Sequence, residues 1–327
     1  MNHPDPRTEA PHDTQILRNM DPNFIYVGQP ASGRQVGIVS GCGALHEPMM
    51  SGYVGPGMLS AACAGPGVAP PSVAQIVAAS RAVAGAEGVL HIVPHFAGEV
   101  EAFQSAADRL RQGGYRVCDV VIDDDTALRD PRHSYGRRAL GVLLIAVQVC
   151  GAAAAQGHNL HHVTSLCRQV NRNGRSIAAA PAGPGRFEIG IGLTGEPGPQ
   201  TLPFEGQRQL ARYLTERLLT DPPLLRTTTE WDQEHWRWHE VSQRDNGLTK
   251  GDRTILLAST LGQATPFDLR AITAEAVETA QRHGIKVERV VQGHLMTAPH
   301  NEGMSLSLVR IDDAILKLWD RKRGRLR

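Results

Sequence analysis

The chain has 327 residues, enough for two domains at roughly 150 residues each and for large cores without covalent staples. Its 34 Lys and Arg against 33 Asp and Glu leave a formal net charge of +1, which excludes a general electrostatic attraction to nucleic acid or anionic membranes. Five cysteines without a CxxC pair favour reduced thiols in a cytoplasmic protein over a disulfide framework. The polar N-terminus has no apolar core typical of an export signal.

The first half of the chain alternates apolar runs, typical of buried strands, with segments whose apolar residues recur at helical spacing. Ser72 and Gln75 have the spacing of a helix capping box, and Asp123 to Asp125 form a predicted polar loop. Strands are predicted at 36–40, 88–93 and 116–122, and helices at 72–84, 99–111, 137–156 and 159–171. This alternation predicts a parallel or mixed sheet covered by helices.

One apolar run, 139–155, needs a separate interpretation. It is shorter than the ~20 residues that a membrane span needs, it is interrupted by Gln148, and its second part is rich in alanine. We therefore expect a buried helix and no membrane association.

The second half repeats the pattern after a Gly- and Pro-rich stretch at 181–200. Helices are predicted at 206–220, 269–283 and 312–319, and strands at 254–259, 287–292 and 306–311. The predicted fold is therefore α/β, with two α/β domains at 1–182 and 183–327, each a mixed sheet flanked by helices.

The segment 227–247 stands apart as a Trp- and His-rich insertion, with three of the four tryptophans. It is interpreted as an amphipathic segment packed on the body, with a mobile lid as the alternative. His235 and His239 would share one face of a helix, as metal ligands do, but no third ligand follows at a fixed offset, so no metal site is predicted.

No P-loop, complete dinucleotide fingerprint, nucleophile elbow or HExxH motif is present, so no nucleotide or metal cofactor is expected on this chain. Instead, a glycine-rich loop that contains His46 follows the first predicted strand, and a second loop, 94–100, leads into Glu99. His46 either transfers protons or only pins its loop, and Glu99 is either functional or a helix cap. Loops that follow neighbouring strands converge at the carboxyl edge of a sheet, so both side chains are expected to face one cavity.

Four segments in order carry a family resemblance: SGCGALHEPMMSGYVGPGML, then the loop that ends in Glu99, then GRRALG and EIGIGLTGEPG. They resemble the K subunit of dihydroxyacetone kinases over roughly residues 30 to 320. The resemblance implies two α/β domains, a homodimer and phosphorylation of a short ketose. It also implies that ATP and Mg²⁺ are bound by a helical domain, which is either a separate partner subunit or a fused domain outside this sequence.

The resemblance also carries over residue roles. His46 and Glu99 occupy the positions of the family's loop histidine and acidic base, and they are the predicted catalytic residues. The family's covalent histidine and its lysine are replaced by Thr194 and Pro94. The predicted substrate-binding residues are Gly43, Ala44, Leu45, His95, Thr194, Gly195 and His300.

Three functions remain open from the sequence. The first is a kinase subunit for a short ketose or related sugar, with Glu99 as base and His46 orienting the hydroxyl. The second is an isomerase or hydrolase of a small sugar derivative, with the same two residues as acid and base. The third is a non-catalytic sensor or co-activator.

Overall fold

The structure is a computed structural model, and it describes residues 15–28, 35–128, 137–232, 237–245, 247–262, 267–299 and 301–321. Its first sheet has six strands in the order β1-β2-β4-β3-β5-β6. Strands β4, β3, β5 and β6 run parallel, while β1 and β2 add an antiparallel edge. The strands are β1 Ile16–Met20, β2 Asn23–Val27, β3 Gly37–Gly43, β4 Ala61–Gly65, β5 Val89–Pro94 and β6 Val117–Ile122.

A second sheet of six strands has the order β13-β12-β14-β7-β8-β9 and is antiparallel except for the β12–β13 pair. These strands are β7 Gly174–Pro181, β8 Arg186–Ile189, β9 Gln200–Pro203, β12 Arg253–Thr260, β13 Lys286–His294 and β14 Met304–Ile311. The predicted boundary at 182/183 therefore falls inside the second sheet, because β7 belongs to it. Both sheets are mixed, as predicted.

Helices cover the sheets in the manner that the amphipathic patterns predict. They are α1 Val73–Val83, α2 Ala97–Gln112, α3 Val142–Ala155, α4 Leu160–Asn173, α5 Gln207–Leu219, α6 Leu269–Arg282 and α7 Asp313–Trp319. α1 and α2 pack with one face of the first sheet, and α5 and α6 with one face of the second. The predicted capping box opens α1: Ser72 and Gln75 exchange side-chain to backbone hydrogen bonds.

α3 lies between the two sheets, which explains why its sequence is apolar on every side. It packs against β3 and β5 of the first sheet and against β7 and β14 of the second, within the largest hydrophobic core. Its residues from Val142 to Ala154 are all buried. In the part of the chain that the structure describes, no helix is long and apolar enough to cross a membrane.

The insertion forms an antiparallel hairpin of β10 Leu225–Asp232 and β11 Arg237–Arg244. The helical arrangement considered for His235 and His239 is therefore wrong for His239, which lies on β11. His235 lies outside the described residues.

The predicted polar loop at Asp123–Asp125 is instead largely internal, since Asp124 and Asp125 are fully buried. The Asp124 carboxylate accepts hydrogen bonds from the amides of Leu140 and Val142 and from the hydroxyl of Ser176. These bonds link the end of the first sheet, the start of α3 and the second sheet. They also explain why α3 begins at Val142 rather than at the predicted Arg137.

Candidate functional site

His46 follows the last residue of β3 on a single 3₁₀ turn, 44–46, and its side chain is fully buried. The turn is tight because Gly43 precedes it: a Cβ there would lie 2.6 Å from backbone atoms of Val68. From the other half of the chain, the loop after β13 holds the turn, since the Thr297 amide donates to the His46 carbonyl over 3.1 Å. The two halves of the chain thus meet at this histidine.

The hydrogen bond of the His46 ring fixes its tautomer. Nδ1 lies 3.1 Å from the Thr297 carbonyl oxygen, which can only accept, so Nδ1 carries the proton. Burial lowers the pKa of His46, and the Thr297 carbonyl and the carboxylates of Glu196 and Glu47 oppose this change. The ring is therefore neutral near pH 7, and its Nε2 is a buried acceptor without a hydrogen-bond partner among the described residues.

Glu99 lies in the first turn of α2, which begins after β5, the strand that neighbours β3. Burial raises the pKa of Glu99 to about 7, and the charge of Glu196 adds to the increase. The backbone amides of Glu99 itself and of Gly43, which precedes the His46 turn, oppose this increase. One oxygen, Oε1, is buried without a partner among the described residues.

The third glycine-rich loop follows β8 and places Thr194 and Glu196 beside these groups. The Glu196 carboxylate accepts a hydrogen bond from the Thr194 amide over 3.1 Å, which holds the loop closed on itself. Because Glu196 influences the pKa of both His46 and Glu99, the loop from the second half faces the two loops from the first.

Arg138, in the segment before α3, is a buried cation in the same region. Its guanidinium donates to Asp125 Oδ2 over 2.9 Å and 2.5 Å and to the Gly190 carbonyl over 2.6 Å. The remaining nitrogen, Nη1, is buried without a partner among the described residues. A Cβ on Gly192 would lie within 2.6 Å of both this nitrogen and Glu196 Oε2, so a side chain at this position would displace at least one of them.

Three buried polar atoms of the site therefore have no hydrogen-bond partner among the described residues: His46 Nε2, Glu99 Oε1 and Arg138 Nη1. Buried polar groups are normally hydrogen-bonded, so an unpaired cluster indicates a ligand position. Sequence reasoning missed Arg138 and Glu196. The signal that could have identified them is a charged residue within a motif of mostly uncharged residues, GRRALG for Arg138 and GEPG for Glu196.

The other predicted binding residues differ in their burial. Ala44, Leu45 and Gly195 are exposed, and Leu45 is tied by its amide to the Gly67 carbonyl. His95 is half-buried and donates from Nδ1 to the Arg137 carbonyl over 2.5 Å, which turns it toward the Arg138 segment. His300 lies outside the described residues. In the described ranges, no group of three His, Cys, Asp or Glu side chains is arranged to hold a metal ion.

These features define a two-unit α/β protein with a small polar site enclosed by loops from both sheets. The chain belongs to the Dak1 domain family, whose model matches residues 8–325. The dihydroxyacetone-binding subunit DhaK of the PEP-dependent dihydroxyacetone kinase of Escherichia coli is 33% identical over 93% of this chain and 90% of its own length. A putative 3,4-dihydroxy-2-butanone kinase of Solanum lycopersicum is also 33% identical, and this chain spans 47% of it.

A solved structure of the dihydroxyacetone kinase operon co-activator DhaQ shares the fold. The TM-score is 0.79 with 25% identity, over 93% of this chain and 90% of the co-activator. The recognition of the family from the glycine-rich motifs is confirmed, and so is the fold of two mixed sheets flanked by helices. This chain is thus similar both to kinase subunits and to a regulatory protein.

Proposed function

We propose that the chain is the substrate-binding subunit of a dihydroxyacetone-type kinase that phosphorylates a short ketose or a related sugar. In this proposal Glu99 accepts the proton of the reacting hydroxyl. A separate ATP-binding partner supplies the phosphoryl group with Mg²⁺. The observation that carries the proposal is Glu99 itself, a buried carboxyl with a pKa raised to about 7 and one oxygen that has no hydrogen-bond partner among the described residues.

The chemistry of phosphoryl transfer to an alcohol fits this carboxyl. The substrate oxygen forms a bond to phosphorus, the donor loses its phosphoryl group, and the hydroxyl proton passes to Glu99 Oε1. A general base works best when its pKa lies near the working pH, since it is then partly ionised and still basic. At about 7, the pKa of Glu99 meets this condition, whereas an exposed glutamate would be fully ionised but much less basic.

His46 supports the same step by orientation. Its neutral Nε2 can accept a hydrogen bond from a hydroxyl but has no proton to give. A substrate with two hydroxyl groups can therefore donate one to His46 and one to Glu99. Thr194 occupies the position of the family's covalent histidine, so binding is expected to be non-covalent. The absence of a P-loop from the sequence supports a separate phosphoryl donor.

The test is a phosphoryl-transfer assay with the full chain, dihydroxyacetone or erythrulose, and the helical donor subunit of the same source, followed by phosphorus NMR. The wild type should form a ketose phosphate, and Glu99→Gln should lower the rate by about 100-fold or more. Glu101→Gln, an exposed change on the same helix, is the matched control and should leave the rate unchanged. Equal rates for wild type and Glu99→Gln would contradict the assignment of the base.

A sensor or co-activator is the second candidate, supported by the similarity to the co-activator DhaQ and by the replacement of the family's histidine and lysine by Thr194 and Pro94. A sensor would bind a ketose in a thermal-shift assay and yet form no phosphorylated product with any donor subunit. The proposal also includes a cytoplasmic location. It further includes a homodimer, which a molar mass measured by light scattering in solution would test.

A further inference from the structure

The side chains of Arg138 and Glu196 are separated by a distance that a single oxygen atom, hydrogen-bonded to both, can bridge. Arg138 Nη1 and Glu196 Oε2 both lie within 2.6 Å of the Cβ position of Gly192, so they are less than about 5 Å apart. They do not bond each other, because Nη1 has no hydrogen-bond partner among the described residues. An oxygen that makes two hydrogen bonds of about 2.8 Å bridges groups roughly 4 to 5 Å apart.

The chemistry of the two groups selects the bridging atom. A guanidinium nitrogen can only donate, and an ionised carboxylate can only accept. A bridging oxygen must therefore accept from Arg138 and donate to Glu196, which a hydroxyl does and a ketone oxygen cannot. Arg138 is only 2% exposed and is fixed by Asp125 and Gly190, so its unpaired nitrogen is held in place for this contact.

The geometry points to a subsite for an additional substrate hydroxyl between Arg138 and Glu196, which makes three hydroxyl positions with His46 and Glu99. This inference rests on the proposed ketose-binding function and narrows its substrate class. The preferred substrate is an uncharged ketose with at least three hydroxyl groups, such as a four-carbon ketotriol, rather than dihydroxyacetone, which has two.

The charges around the subsite disfavour the binding of anionic sugars. Three glutamates contribute negative charge here. Glu196 and Glu47 act to raise the pKa of His46. Glu47 and Glu99 act to raise the pKa of Cys42. The cation of the cluster, Arg138, is already paired with Asp125 at 2.5 Å. Sugar acids and sugar phosphates are therefore expected to bind less well than neutral ketoses.

The test compares two ligands that differ by one hydroxyl, erythrulose and 1,3-dihydroxybutan-2-one, by calorimetric titration of the full chain. The wild type should prefer erythrulose by roughly tenfold or more, the effect of one hydrogen bond to charged groups. Glu196→Gln removes the charged acceptor but keeps the shape, and it should reduce the preference to about twofold. The affinity for 1,3-dihydroxybutan-2-one should change little.

Gly192→Ala provides a second variant, because its methyl group would occupy the gap. It should abolish the preference for erythrulose, whereas Gly55→Ala, whose Cβ meets nothing within 4 Å, should retain it. An equal preference in wild type, Glu196→Gln and Gly192→Ala would overturn the inference, as would failure of both ligands to bind the wild type.

The titration needs no phosphoryl transfer, so the two proposals can fail separately. A Glu196-dependent preference without any kinase activity would support the subsite and overturn the kinase function. Kinase activity without the preference would overturn only the subsite.

Discussion

Replacing Glu99 with glutamine should stabilise the protein at alkaline pH while it removes the proposed base. The pKa of Glu99 rises from its ordinary 4.5 to about 7, chiefly because burial penalises the charged form. At about 1.4 kcal/mol per pH unit, this corresponds to about 3 kcal/mol of unfavourable free energy once the carboxyl is ionised. Relaxation of the protein and water penetration reduce the penalty of a buried charge, so we expect an effect of about 2 kcal/mol.

The direction of the pH dependence follows from the raised pKa. Below about pH 4.5 the carboxyl is protonated in both folded and unfolded chains, so it costs no stability. Between about pH 4.5 and 7 the folded state binds the proton more tightly, so stability falls as the pH rises. Above about pH 7 the penalty is complete. Glutamine, which has the same shape and no charge, avoids it.

The assay is scanning calorimetry of wild type and Glu99→Gln at about pH 5 and about pH 8. Melting temperature is the appropriate readout, because a chain with two sheets and several cores need not unfold in one step. The variant should melt roughly 3 °C or more above the wild type at about pH 8 and nearly with it at about pH 5. Glu101→Gln, exposed on the same helix, should show no such difference. A Glu99→Gln variant that melts below the wild type at about pH 8 would refute the burial argument.

Three further outcomes are expected. Intact mass spectrometry with saturating dihydroxyacetone should show unmodified protein, since Thr194 offers a hydroxyl in place of an imidazole; an adduct lost in Thr194→Ala would contradict this. The purified chain should show no tight ATP binding by calorimetry, because its sequence contains no P-loop motif. Arg138→Leu should lower the melting temperature by roughly 5 °C or more, because it leaves the fully buried Asp125 without its cation; an unchanged melting temperature would contradict that reasoning.

Local patterns predicted much of the fold. The sequence predicts the capping box of α1, the buried helix α3 and the strands β3, β5 and β6. Each of these depends on residues that are close together in sequence. The short strands β1, β2 and β4 and the strand β7 were not predicted, because their pairing partners supply most of what defines them. The register of β7 against β14, for example, joins residues more than a hundred positions apart.

The candidate site shows the same division. His46 and Glu99 were predicted because each follows an apolar strand run, and the structure brings them to one sheet edge. The sequence predicts a polar loop at Asp124 and Asp125, because their partners, Leu140, Val142 and Arg138, become neighbours only in the folded chain. The unpaired nitrogen of Arg138 is likewise a property of three-dimensional packing that no spacing in the sequence reveals.

The most direct test of the central claim is the pH profile of kcat/KM for ketose phosphorylation by the full chain with its donor subunit. If Glu99 is the base, it must be ionised to act, so the profile should rise about tenfold per pH unit below about pH 7 and level off above it. The same profile measured for Glu99→Asp should keep this shape with a shifted midpoint. A wild-type profile that is flat between about pH 5.5 and pH 8 would contradict the claim.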